Sequence, residues 1–262
     1  MGVSDTRSKL IRRLHRRKTR EREGLVLVEG PRAAAEALAA GANVRFAIAT
    51  PRMDAPEQET ITNALRAADI EVVVEDYDVV VELADTETPQ GLLLVVEQPE
   101  LQWPSGGHGL PEGRWLVLDA LQDPGNVGTL IRAAAAFDCA GVLALDGTAD
   151  PWGTKAVRAS AGAIFRLPVH ATRGMEVEAV IDALPRPLVV ADMGADDPSR
   201  HAGARWSLVI GNEGAGIRSE LDRAADARAS IPMPGGVESL NAGVAGAILL
   251  YALSAPLLTP ST

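Results

Sequence analysis

Asp119-Ala-Leu-Gln-Asp123-Pro124-Gly125-Asn126-Val-Gly128-Thr-Leu-Ile-Arg132-Ala-Ala-Ala-Ala-Phe137 joins the end of a strand to the body of a helix. The apolar run Trp115-Leu-Val-Leu leads into Asp119, and a turn rich in Asp, Pro, Gly and Asn then opens an apolar helix over 125–137. In α/β folds the loop just past the carboxyl edge of a parallel strand is where ligands bind. Arg132 is the anomaly, a cation in an otherwise oily helix. A buried guanidinium needs a partner and cannot cheaply shed its proton. It therefore faces a carboxylate, a phosphate or a cleft, or else it snorkels to the surface. Asn126 either caps the helix or serves a site there.

Two further segments break the apolar alternation. Leu208-Val-Ile-Gly211-Asn-Glu213-Gly214-Ala-Gly216-Ile places three glycines between a strand and a helix, where the backbone can turn sharply and approach a ligand closely. The order G-x-x-G-x-G is wrong for a dinucleotide fingerprint, and Glu213 would repel a pyrophosphate. Ile231-Pro232-Met233-Pro234-Gly235-Gly236-Val-Glu238-Ser239-Leu240-Asn241 is a stiff loop ahead of an apolar helix over 239–253, with Ser239 as its expected cap. An Asn buried at such a helix start needs partners for both ends of its amide.

Outward from these segments, apolar runs and amphipathic stretches alternate along the chain. Strands are expected at 25–28, 46–49, 70–75 and 91–97, with helices over 31–40, 56–68 and 76–84, giving a small α/β unit. Residues 98–113 hold three prolines and four glycines and read as a linker. Beyond it strands at 115–119, 141–146, 165–169, 188–191, 208–211 and 229–231 alternate with helices over 125–137, 154–163, 176–183, 219–225 and 239–253. The near-continuous apolar strands point to a parallel sheet covered on both faces. The expected organisation is a basic arm (1–22), a small α/β domain (23–97), a linker (98–113) and a larger α/β domain (114–262).

The 262 residues, 47% of them hydrophobic, suffice for a large core without staples. One cysteine, Cys139, excludes an intrachain disulfide framework, and no Cys/His cluster suggests a metal. No apolar run is long enough to span a bilayer and no apolar segment follows the basic start, so the expectation is a cytoplasmic protein without membrane contact. The net charge of −10 is unevenly spread. Residues 1–22 hold nine basic and two acidic side chains, a local +7 that leaves −17 for the remainder. Arg12, Arg13, Arg16 and Arg17 in that arm are the expected phosphate contacts, on a body whose acidity resists indiscriminate polyanion binding.

Taken together, the three broken segments resemble the SpoU (TrmH) family of RNA ribose 2′-O-methyltransferases, in the SPOUT superfamily. Asp123 to Arg132 matches the first family motif, Gly211 to Gly216 the second, and Ile231-Pro-Met through Ser239-Leu-Asn241 the third. Val28-Glu-Gly-Pro31 and Thr88-Pro-Gln-Gly91 resemble the family's small amino-terminal RNA-recognition domain. The resemblance implies a carboxy-terminal α/β domain tied in a trefoil knot, a homodimer, and S-adenosyl-L-methionine held by Gly211, Ile231, Met233 and Leu240. It assigns Arg132, Asn126, Glu213, Ser239 and Asn241 to the chemistry. Arg132 would position the ribose and its phosphate and stabilise developing oxyanion character, acting as a base only if its pKa falls. Asn126 would orient Arg132 or the ribose, Glu213 would hold the arginine or its own loop, and Ser239 and Asn241 would complete the pocket. The residues after Asn241 read Ala-Gly-Val-Ala, where the family more often has Val-Ser-Val-Ala.

The expected substrate is structured RNA, ribosomal first and transfer RNA second, reached through the basic arm and an arginine patch including Arg158 and Arg166. A non-catalytic RNA-binding assembly factor on the same fold is the alternative. A nucleotide-binding enzyme of another type is disfavoured by the glycine order and by the lack of a Walker-type lysine, Lys155 being the only lysine beyond the arm.

Overall fold

Where the sequence reads as a basic arm, the computed structural model has two helices, α1 (Asp5–Leu14) and α2 (Arg17–Glu23). It describes residues 3–51, 56–100, 103–104 and 109–255. The arm is corrected by two apolar side chains. Ile11 and Leu14 are fully buried and enter one core with Leu27, Phe46, Ile48, Val80 and Val95, so the charges occupy the solvent side of an amphipathic helix. Arg20 is buried too, its Nη1 donating to the Leu14 carbonyl at 2.6 Å and so satisfying the open end of α1.

There follow β1 (Leu25–Glu29), α3 (Pro31–Ala39), β2 (Val44–Ala49), α4 (Pro56–Ala67), β3 (Val72–Val74), α5 (Tyr77–Leu83) and β4 (Leu92–Glu97). The four strands form one sheet in the order β1-β4-β2-β3, with β4 antiparallel to both neighbours and β2 parallel to β3. The second series is β5 (Arg114–Leu118), α6 (Pro124–Ala136), β6 (Gly141–Ala144), α7 (Thr154–Ala159), β7 (Val169–Ala171) and α8 (Val177–Ala183). It continues with β8 (Leu188–Asp196), β9 (Trp206–Ile210), α9 (Ser219–Ala224), β10 (Ala227–Ala229) and α10 (Ala242–Ser254).

The chain divides into two compact units, Met1–Glu100 with Trp152–Arg166, and Leu101–Pro151 with Leu167–Thr262. The boundary at residue 114 therefore omits a return. Segment 152–166, read as part of the second domain, packs in the first unit. Thr154 Oγ1 donates to Asp85 Oδ2 at 2.8 Å, and Arg158 lies 3.5 Å from the buried Glu29 carboxylate. Gly162 sits so close to α3 that a Cβ would stand 2.7 Å from the Ala33 carbonyl, and its φ of +84° suits glycine alone. Arg166 pairs with Glu36. Arg158 and Arg166 are thus each paired with a carboxylate of this unit. The described part of 98–113 has no helix or strand, yet Leu110 is buried in the second unit's core.

The second unit is built on a six-stranded sheet, β10-β8-β9-β5-β6-β7, parallel throughout. Trp115, Val117, Leu143, Val190 and Val209 point into a core shared with Val180 and Ile181 of α8 and Leu221 of α9. Alternate residues such as Leu116, Leu118, Leu208 and Ile210 are just as buried, so the strands are covered on both faces. On that other face α6 and α10 run side by side. Gly243 abuts Asn126 and Thr129 at one end, and the rings of Phe137 and Tyr251 meet at 5.9 Å at the other. Gly246 makes the approach possible, since a Cβ there would collide with Leu130 Cδ2. Gly246→Val is expected to overpack this seam and cost about 1–3 kcal/mol, read as a lower denaturant midpoint at unchanged slope.

Candidate active site

At the carboxyl edge of β5, the buried Asp119 accepts from the Arg218 backbone N–H at 2.7 Å and from Arg218 Nε at 2.6 Å. Arg218 Nη2 also donates to the Asp146 carbonyl. This bridge ties the loop after β9 to the loop after β5. Removing one partner of such a pair strands the other charge, so Asp119→Ala should cost about 3 kcal/mol, towards the low end for a buried pair because Arg218 keeps partial exposure. Unfolding in urea measures it.

The next residue, Ala120, adopts a left-handed backbone with φ +57°, and its carbonyl accepts from Asn212 Nδ2 at 2.8 Å. Asn212 then shapes the second segment from inside. Its Oδ1 accepts from the amides of Gly214 and Ala215, while its backbone pairs with Gly216 as an isolated bridge. Gly211 lies under that bridge, where a Cβ would stand 2.6 Å from both Gly216 O and Ile217 Cγ1. Sequence reasoning counted the glycines and passed over Asn212, although Asn between two turn glycines is a common loop organiser.

Asp123, not Asn126, caps α6, its Oδ1 accepting from Gly125 N at 2.7 Å. Asn126 is released for another partner, and its Nδ2 donates to Glu213 Oε1 at 2.8 Å, joining the first and second segments. At α10 the cap is Asn241, not Ser239. Its Oδ1 accepts from Val244 N at 3.2 Å, and the helix starts at Ala242. Asn241 is exposed, contrary to the expectation of a buried amide. A Cβ on Gly243 would stand 3.1 Å from both Asn126 Oδ1 and Asn241 Oδ1, which places the two amides on either side of one glycine.

Beside this cluster lies a cavity of about 400 Å³. Gly211, Glu213, Ile231, Met233, Ser239 and Leu240, six of the nine residues expected for cofactor or chemistry, line it. Ala191, Asp192, Met193 and Gly194 line it too. The last three escaped notice because β8 was read only as far as residue 191, whereas the strand runs on to Asp196. The lining is chiefly small and apolar, with Asp192 and Glu213 as its charged side chains and no Lys, Arg or His among the described residues. Such a cavity suits a flat apolar ring joined to a cationic, hydroxyl-bearing tail, and repels phosphate. S-adenosylmethionine fits this donor set.

Arg132 is placed otherwise. It is exposed, has no polar partner among the described residues, and lies outside the cavity lining. Asn126, Val127, Leu130, Ile131 and Ala134 form the buried face of α6, and at 100° per residue Arg132 falls on the opposite side with Thr129 and Ala136. Of the alternatives read from the sequence, the structure has the surface one, with no carboxylate partner among the described residues. Among the arm residues, Arg12 pairs with Glu82 at 2.9 Å, Arg13 with Glu23 at 3.6 Å and Arg17 with Glu21 at 2.7 Å. Arg16 is exposed and unpaired among the described residues. Such surface pairs are weak and exchange readily for phosphate. The Cys139 thiol, pushed up to about 12 chiefly by burial, stays protonated. Among the described residues no group of three or more His, Cys, Asp or Glu could hold a metal ion, and no helix is long and apolar enough to cross a membrane.

Residues 113–251 match the sequence model of the SpoU rRNA Methylase family, and residues 6–94 that of the MRM3-like substrate binding domain. The chain is 31% identical over 251 residues to the Bacillus subtilis 23S rRNA (guanosine(2553)-2′-O)-methyltransferase RlmP, spanning 92% of this chain and 93% of that one. It is 29% identical to the mitochondrial rRNA methyltransferase 3A of Danio rerio, over 88% of this chain and 64% of the relative. The AdoMet-bound SpoU methyltransferase AviRb from Streptomyces viridochromogenes superposes with a TM-score of 0.82 at 28% identity, covering 98% of this chain and 99% of that one. An AdoMet-bound rRNA methyltransferase from Sinorhizobium meliloti does so with 0.81 at 27%, covering 99% and 98%. The bonds that tie the first loop to the second, the cavity that the second and third loops line beside them, and the match across most of the chain's length agree: this chain belongs to the SpoU rRNA methylase family.

Proposed function

We propose that the protein methylates a ribose 2′-hydroxyl of ribosomal RNA with S-adenosylmethionine as donor. The observation that carries this reading is the cavity without a basic side chain, set against the Asn126–Glu213 bridge. The donor supplies a methyl group made electrophilic by its sulfonium. Gly211, Ile231, Met233 and Leu240 hold it, the glycine by leaving loop backbone accessible and the other three by their apolar side chains. Glu213 fixes the amide of Asn126, and Asn126 with Asn241 orients the incoming ribose. Ser239 completes the wall between them. Arg132 binds the adjacent phosphate and stabilises the oxygen as it gives up its proton.

The assembly we propose is a homodimer, and it gives Arg132 its surroundings. Val244, Ile248 and Tyr251 form an exposed apolar stripe on α10, one turn after another, beside the face of α6 that carries Arg132. An apolar stripe on a helix invites cover, and a second copy meeting it about a two-fold axis would bury both stripes at once. Arg132 would then meet the other subunit's RNA. The same reading threads the carboxy-terminal part of the chain in a trefoil knot, puts Arg12, Arg13, Arg16 and Arg17 against RNA phosphates, and places the protein in the cytoplasm with its substrate.

The test is transfer of labelled methyl from S-adenosylmethionine to ribosomal RNA taken from a strain lacking the gene. Ribose methylation at a discrete nucleotide is expected. No transfer to ribosomal or transfer RNA, with cofactor binding intact by calorimetry, would favour a non-catalytic RNA-binding factor.

A further inference from the structure

The cavity has a second acidic residue that the methyl-transfer chemistry does not use. Glu213 is engaged by the uncharged amide of Asn126. Asp192, just past the buried part of β8, is held by its surroundings. Its Oδ1 accepts from Met193 N at 2.7 Å and its Oδ2 from Arg228 Nη1 at 3.0 Å. The same Nη1 lies 2.7 Å from Asp222 Oδ1. One guanidinium is thus shared between two carboxylates, leaving this trio at a formal −1. Of the three, Asp192 lines the cavity, and Arg228 and Asp222 are not part of its lining. A fixed, oriented negative charge on a cavity wall favours a cationic occupant over a neutral one of the same shape.

S-adenosylmethionine and its product differ in that property. The donor carries a positive sulfonium, and loss of the methyl cation to the ribose oxygen leaves S-adenosylhomocysteine with a neutral thioether. The adenosine and amino-acid portions are common to both. We infer that Asp192, steadied by Arg228, is a specificity-determining residue that makes the cavity prefer the cationic donor to the neutral product. Methyl transfer then weakens the hold on the molecule that must leave. This inference rests on the reading of the cavity as the donor site.

Calorimetry on the full chain with each of the two ligands tests it. The unaltered protein should bind S-adenosylmethionine more tightly than S-adenosylhomocysteine. Asp192→Asn keeps the shape and removes the charge. It should weaken S-adenosylmethionine on the order of tenfold, as expected for a near but exposed charge whose attraction lies closer to its value in water than to that at an effective dielectric of about 20, and leave S-adenosylhomocysteine within about threefold. Retained product binding also reports an intact pocket. Arg228→Gln should act in the opposite sense and widen the preference, because it leaves the carboxylates unneutralised. Equal losses for both ligands in Asp192→Asn, or no change in either, overturn the inference and leave the donor-site reading standing. If the unaltered protein binds neither ligand, the donor-site reading itself fails and the inference falls with it.

Discussion

Replacing Arg132 with alanine should lower methyl transfer by at least about a hundredfold and leave S-adenosylmethionine affinity within about twofold, the pattern of a group that acts on the transition state. The two halves of this expectation come from separate facts. Arg132 does not line the cavity, so the donor loses no contact when the side chain is cut back. It is exposed and unpaired among the described residues, so none of their buried carboxylates is stranded and the fold is unharmed. Single-turnover transfer and calorimetry on the same preparation provide the two readings. Arg132→Lys should recover little, because a point charge cannot reproduce two parallel hydrogen bonds to a phosphate or ribose edge. A parallel fall in donor affinity would instead place the arginine in the pocket.

A charge in the middle of the α10 stripe should be as damaging by a different route. Ile248→Glu puts a carboxylate on a helix face bearing Val244 and Tyr251. In a two-fold interface each substitution meets its own copy, so one change introduces two like charges at close range. The expected result is a shift from dimer to monomer in light scattering and a loss of transfer of more than about tenfold. The single chain should keep its unfolding midpoint, because Ile248 is outside the buried face formed by Ala242, Gly246, Leu249 and Leu253. A variant that stays dimeric and active would remove the stripe from the subunit contact.

The alternation of elements was legible because strands such as Leu116–Leu118 are apolar on both faces and helices such as α6 follow a turn rich in Asp, Pro, Gly and Asn. The three loops were legible for the opposite reason, since each interrupts that pattern with residues a core does not need. What remained hidden is tertiary. The folding of the basic arm depends on little more than Ile11 and Leu14 among many charges, too sparse a stripe to outweigh composition. The extension of β8 through Asp192 to Asp196 is polar, and it stays extended because Ala229 of β10 pairs with Asp196. For Arg132 the sequence left a buried partner and the surface both open, and the structure puts the side chain at the surface. Outward apolar residues also stand on the neighbouring helix, where Val244, Ile248 and Tyr251 are exposed, and the proposed contact between subunits would cover them.

The return of residues 152–166 to the first unit bears on how the protein is made. A nascent polypeptide that has emerged only as far as Glu100 lacks the helix whose Arg158 reaches Glu29 and the turn that seats Gly162 on Ala33. The missing pieces emerge roughly 3–13 s later at ordinary translation rates of about 5–20 residues per second. During that interval the early unit is unfinished, with the side of α3 that Gly162 covers open to chaperone capture. Gene fusions that cut between the two units at residue 100 would make that interval permanent.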